Sequence, residues 1–177
     1  MFKHEKVLWI TRTAVFIALT VALQALTLQF GNQFITGSIV NFMLIVSIMT
    51  CGLPTGLTVA LFTPIMPTLL GFGPVWPVVP FIIAGNMALV TLWHFIGNKK
   101  IINTYVAHAI AMVAGAVAKF LVLFIGVVQI VVPYILKLPE GNIMSVLFSY
   151  PQLITASIGG VCAIIVLPIL QKAIKAR

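Results

Sequence analysis

"NTYVAHAIAMVAGAVAKFLVLFIGVVQIVV", residues 103–132, carries a single charged side chain, Lys119, with no acidic residue near it. Apolar residues flank the lysine on every side, which an amphipathic helix at a water surface would not show. The run does not alternate apolar and polar residues as a membrane barrel strand would. It is longer than the roughly 20 residues a helix needs to cross about 30 Å of hydrocarbon. The stretch therefore predicts a membrane span and raises the question of what a lone positive charge does inside it.

The rest of the chain has the same character. Its 177 residues are 62% hydrophobic and 7% charged, with a mean hydropathy of +1.21. Soluble domains carry about 25% charged residues, so this chain cannot cover a surface in water. Its length allows about six spans with short connections. The expected fold is an all-α polytopic membrane protein of six transmembrane helices, forming one domain over residues 1–177. The first span is expected from Leu8 to Leu28, read as a retained helix because its apolar stretch exceeds a signal-peptide core and no cleavage site is clear. The second runs from Ser38 to Cys51 and the third over 55–71, kinked or broken near Pro64 and Pro67. The fourth ends near Ile96, the fifth covers Asn103 to Val132, and the sixth covers Leu147 to Leu170. Cys51 and Cys162 lack metal-ligand spacing and read as small buried hydrophobes.

A net charge of +8 would suit nucleic acid, but its placement speaks against that partner. Lys3, Lys6 and Arg12, then Lys99 and Lys100, then Lys172, Lys175 and Arg177 each flank an apolar run, as the positive-inside rule expects. Six spans bring these three groups to one side, so both termini and the 97–102 loop are expected in the cytoplasm. The segments 29–37, 72–77 and 134–147 then lie outside.

Much chemistry is absent. The only acidic residues are Glu5 and Glu140, so no carboxylate cluster for metals or acid–base work lies in a span. His94 and His108 have no partner at ligand spacing, and no glycine-rich phosphate loop is present. Neither a catalytic residue, a metal nor a cofactor is expected. Ion-coupled carriers usually keep acids at midplane, so transport would draw its energy from another subunit.

What remains is small-residue stripes and a few polar groups. Ala14, Ala18 and Ala22 form a smooth ridge on the first helix, either for internal packing or for docking a helical partner. Gly52/Gly56, Ala107/Ala111/Gly115 and Ala156/Gly160 read as internal packing. Polar candidates gather toward the outer half: Asn32 beside Gln29 in the first outer loop, Asn41, Trp76 in the second outer loop, Asn86, and Tyr150 with Gln152. Aromatic residues there serve as interfacial belts or ligand platforms, and asparagines bond neighbouring helices or substrate. Lys119 has three readings: it faces a cavity and a ligand, it snorkels outward, or it bonds helix carbonyls.

The size, the six spans, the basic ends, the alanine ridge, "TGSIVN" at 36–41, "GLPTGLTVALFTPIMPTLLG" from Gly52 and "VPFIIAGN" at 79–86 together resemble a substrate-binding S-component of the energy-coupling factor (ECF) transporters, the vitamin importers of prokaryotes. The resemblance covers essentially the whole chain. It implies a multi-pass protein of the prokaryotic plasma membrane that captures a small vitamin-like molecule from outside. It also implies a partner, a transmembrane coupling subunit docked on Ala14, Ala18 and Ala22 and driven by two ATPase subunits. By the same analogy the 29–37 segment is a lid over the pocket. Lys119, Asn41, Asn86, Trp76, Tyr150 and Asn32 are the expected substrate contacts, and a neutral or anionic heterocycle is the expected ligand. A ligand-free structural subunit of a membrane complex is the alternative, and it leaves the polar residues at one end unexplained.

Overall fold

The computed structural model describes residues 2–99, 103–139 and 141–175, with the side chains of residues 2–4, 174 and 175 excepted. Lys100, Glu140 and Arg177, and the side chains of Lys3 and Lys175, lie outside what is described. Among the described residues the chain is helical and contains no strand. In order come α1 (Phe2–Leu28), α2 (Gln33–Cys51), α3 (Leu53–Leu69), α4 (Val79–Gly97) entered by a 3₁₀ turn (Trp76–Val78), and α5 (Thr104–Leu123). A π-helical extension (Phe124–Ile135) continues α5, and α6 (Ile143–Leu147) and α7 (Pro151–Lys175) complete the chain. Five helical stretches are long and apolar enough to cross a membrane: Glu5–Leu28, Gln33–Cys51, Trp76–Gly97, Thr104–Ile135 and Ile143–Ala173. Leu53–Leu69 is also apolar but shorter. The architecture is compatible with a multi-pass membrane protein.

Local chemistry explains where the helix boundaries depart from the sequence reading. Helix α2 begins at Gln33, five residues before the expected Ser38, because Asn32 caps it: its Oδ1 accepts from the Phe34 amide at 2.9 Å. Half of the expected 29–37 loop is therefore helix. Gly31, at φ +60°, turns the chain in front of the cap. Asn32→Ala should cost about 0.5–2 kcal/mol and fray the first turn, seen as faster amide exchange at Phe34 to Thr36.

Helix α3 is neither broken at Pro64 nor at Pro67; both lie inside a continuous helix. Each proline removes an amide donor and frees a carbonyl one turn back. The carbonyl freed by Pro67 is that of Thr63, and Gln24 Nε2 on α1 donates to it at 3.4 Å. The Thr68 hydroxyl donates to the Pro64 carbonyl at 2.9 Å. The Gln24 side chain thus takes up the backbone group that Pro67 leaves open, the kind of compensation by which helices tolerate an internal proline. The Thr68 hydroxyl adds a second bond to a carbonyl already within the helix ladder. Helix α7 begins at Pro151, four residues after the expected Leu147, with Pro151 at its first position where the missing N–H costs nothing. The short α6 lies in the segment 134–147 expected as an outer loop.

The most extensive helix contacts pair α4 with α5 and α2 with α7. Glycine makes the second pair close. A Cβ at Gly159 on α7 would stand 2.7 Å from the Ser38 carbonyl oxygen and 2.8 Å from both Asn41 Cβ and Phe42 N on α2. Gly159→Ala should therefore force the helices apart and cost about 1–3 kcal/mol, read as a lower unfolding temperature in detergent. Gly115 meets Leu89 and Trp93, Gly160 meets Met112, and Ala107, Ala111 and Ala156 are buried, so these small residues do pack internally. Cys162, by contrast, is exposed on α7, and Cys51 is half-buried.

Two apolar clusters result. One gathers Leu44, Ile45, Ile48, Val59, Leu89, Val90, Trp93, Ala111 and Leu167 in the half of the bundle nearer the chain termini. The other packs Val78, Leu123, Val127, Val131, Val132 and Phe148 at the opposite end, under the 3₁₀ turn and the π-helical extension. Between them lies a polar layer.

Candidate functional site

Asn41 precedes Leu44 and Ile45 by one turn on α2, Asn86 precedes Leu89 and Val90 by one turn on α4, and Lys119 precedes Leu123 by one turn on α5. The three side chains meet where their helices cross. Lys119 Nζ donates to Asn41 Oδ1 at 2.6 Å and to Asn86 Oδ1 at 2.8 Å. Lys119 is 4% exposed, and Asn41 and Asn86 are each 1% exposed. The lysine thus turns inward, and its partners are side-chain amides; neither snorkelling nor bonding to helix carbonyls describes it. Gly85 makes room for the lysine stem, since a Cβ there would lie 3.3 Å from Lys119 Cγ and from Leu123 Cγ.

The ammonium also orients its partners. An amide that presents its oxygen to the lysine must present its NH₂ elsewhere. Asn41 Nδ2 donates to Thr155 Oγ1 on α7 at 3.4 Å, tying a fourth helix to the cluster. Asn86 Nδ2 is buried without a partner, as is Ser38 Oγ one turn before Asn41. Buried donors are rarely left unpaired in folded proteins.

The cluster borders a cavity of about 520 Å³. Lys119 and Asn86 line it, together with apolar Val40, Ile82, Leu123, Leu147 and Phe148 and polar Gln24, Asn32, Thr36 and Gln152. All the lining elements belong to one end of the bundle: the C-terminal ends of α1, α3 and α5, the N-terminal ends of α2, α4 and α7, and α6. The volume lies within the roughly 300–1,000 Å³ of small-molecule sites, and the apolar walls with few polar groups match their usual chemistry. Gly31, Asn32, Gln33, Thr36 and Gly37 form one wall, so the expected lid segment does border the cavity. Toward the chain termini the apolar layer of Leu44, Ile45, Leu89 and Trp93 closes it off.

Of the expected contacts, Lys119, Asn86 and Asn32 line this cavity, and Asn41 stands behind Lys119 as its hydrogen-bond partner. Trp76 and Tyr150 do not line it; they are 55% and 60% exposed. In the 3₁₀ turn Val78 takes the inward position and leaves Trp76 outside. Around Pro151 it is Phe148 and Gln152 that face the cavity, and Tyr150 lies between them on the outside. Both aromatics have the placement of interfacial belt residues.

Sequence reasoning missed Gln24 and Thr36. The signal was available on α1: Thr13, Thr20, Gln24 and Thr27 recur at helical spacing and form its inward face. Thr13 bonds Thr55 on α3 at 3.2 Å, and Thr27 accepts from Thr36 on α2 at 2.9 Å. That inward stripe leaves Ala14, Ala18 and Ala22 on the opposite face, where all three are exposed. Helix α1 is also the least covered: 11% of its span is buried, against 33–44% for the other four long spans.

No family model, curated protein or solved structure matches this chain.

Proposed function

We propose that the chain is the substrate-capture subunit of an ECF-type importer in a prokaryotic plasma membrane. In this reading Leu53–Leu69 is a sixth span, so both termini and the exposed Lys6, Arg12, Lys99 and Lys172 face the cytoplasm. At about 1.5 Å per residue its 17 residues reach about 26 Å, near the lower limit for a span. The cavity then opens outward and receives a small vitamin-like molecule. The carrying observation is the buried Lys119–Asn41–Asn86 cluster bordering a cavity at one end of an otherwise apolar bundle. A ligand-free subunit gives no reason to keep a buried ammonium there, which insertion scales place at about 2.5–3.5 kcal/mol.

The apolar layer beneath the cavity supports delivery by movement of the whole subunit rather than through a pore. The exposed alanine ridge on the least covered helix supports docking on a transmembrane coupling subunit, with ATP hydrolysed by partner ATPases and not by this chain. The segment around Gly31 is the proposed lid. Affinity purification of the tagged protein in mild detergent tests the assignment by mass spectrometry of the retained proteins. Two ATPases and a membrane coupling protein are expected. A folded preparation that retains none of them would move the assignment to a membrane subunit outside ECF transport.

A further inference from the structure

The polar layer also bears on the charge of the ligand, an inference that rests on the capture reading. Lysine has three N–H donors, and two of Lys119's are taken by Asn41 and Asn86. One N–H and one positive charge remain beside the cavity. Asn86 Nδ2 adds a buried donor without a partner. Among the described residues that line the cavity, Lys119 is the only ionisable one. The site therefore offers spare donors and a single uncompensated charge, and its complement is one negatively charged acceptor group.

We propose that the ligand is a monocarboxylate with a compact, mostly apolar body. One carboxylate oxygen takes the free Lys119 N–H in a charge-assisted hydrogen bond, and the unpartnered Asn86 amide is a further donor of the same cluster for the second oxygen. The body lies against Ile82, Leu123, Leu147 and Phe148. A phosphate monoester carries about −1.5 to −2 at pH 7 and would need a second cation that the lining lacks. A cationic head would meet Lys119 as a like charge in a low-dielectric site.

Matched probes that differ only in the head group test this with the full chain in lipid nanodiscs. Binding of 1-naphthylacetate, 1-naphthylacetamide, 1-naphthylmethyl phosphate and 1-naphthylmethylammonium is measured by calorimetry, with a second series on a cyclohexyl body. The acid is expected to bind at least about tenfold tighter than each other head group, the low end for a charged hydrogen bond. Lys119→Met should remove that margin, and Lys119→Arg should restore part of it. No acid preference in either series, including no binding at all by folded protein, overturns the inference. If coupling subunits co-purify while the acid preference is missing, the inference alone fails. If the preference is present and no coupling subunit is retained, the importer assignment alone fails.

Discussion

Lys119→Met should lower the affinity for the captured ligand by about 10–100-fold, the range for losing a hydrogen bond to a charged group, while the protein stays folded. Two opposing effects explain the second half of that expectation. The substitution leaves the oxygens of Asn41 and Asn86 without their donor, at about 1–3 kcal/mol each. It also removes a buried ammonium that insertion scales place at about 2.5–3.5 kcal/mol. Methionine fills a similar length of stem against Gly85, so no large cavity is added. The terms nearly offset, and the unfolding temperature should move little compared with that of Gly159→Ala. Equilibrium binding beside thermal unfolding separates the two outcomes. Unchanged affinity would make the cluster a purely structural tie between α2, α4 and α5.

Ala18→Trp should abolish uptake by intact cells, by more than about tenfold, yet leave binding to the isolated subunit unchanged. Ala18 is exposed on the least covered helix, so the indole meets lipid rather than the core. Substitutions at such positions usually change stability by no more than about 0.5 kcal/mol. A tryptophan in the middle of the Ala14–Ala18–Ala22 ridge holds a partner helix off, because close approach between membrane helices depends on small side chains. The cavity lies on the other face of α1, lined by Gln24 rather than by the ridge. Retained uptake would place the docking surface elsewhere.

Much of the fold was legible because hydropathy reports directly on long apolar helices, and the helix order follows the apolar runs. Boundaries set by single side chains were not. The start of α2 depends on the Asn32 cap, and the carbonyl that Pro67 frees in α3 is met by Gln24, which compensates from another helix. The site was legible in part. Lys119, Asn41 and Asn86 stand out as polar groups in apolar runs, and a charge without an acid must find neutral partners. Their convergence depends on helix rotation and on Gly85 and Gly159, which hydropathy does not register. Trp76 and Tyr150 drew attention as aromatics near one end, but the geometry of short turns decides which neighbour faces inward. There it favoured Val78, Phe148 and Gln152.

The most direct test is to release small molecules by denaturing wild-type protein and the Lys119→Met variant, each purified from the same cells in equal folded amounts, and to compare them by mass spectrometry. A compound present near one per wild-type chain and depleted in the variant is the expected result. Equal small-molecule content in the two preparations, or none in either, would contradict a ligand held at Lys119.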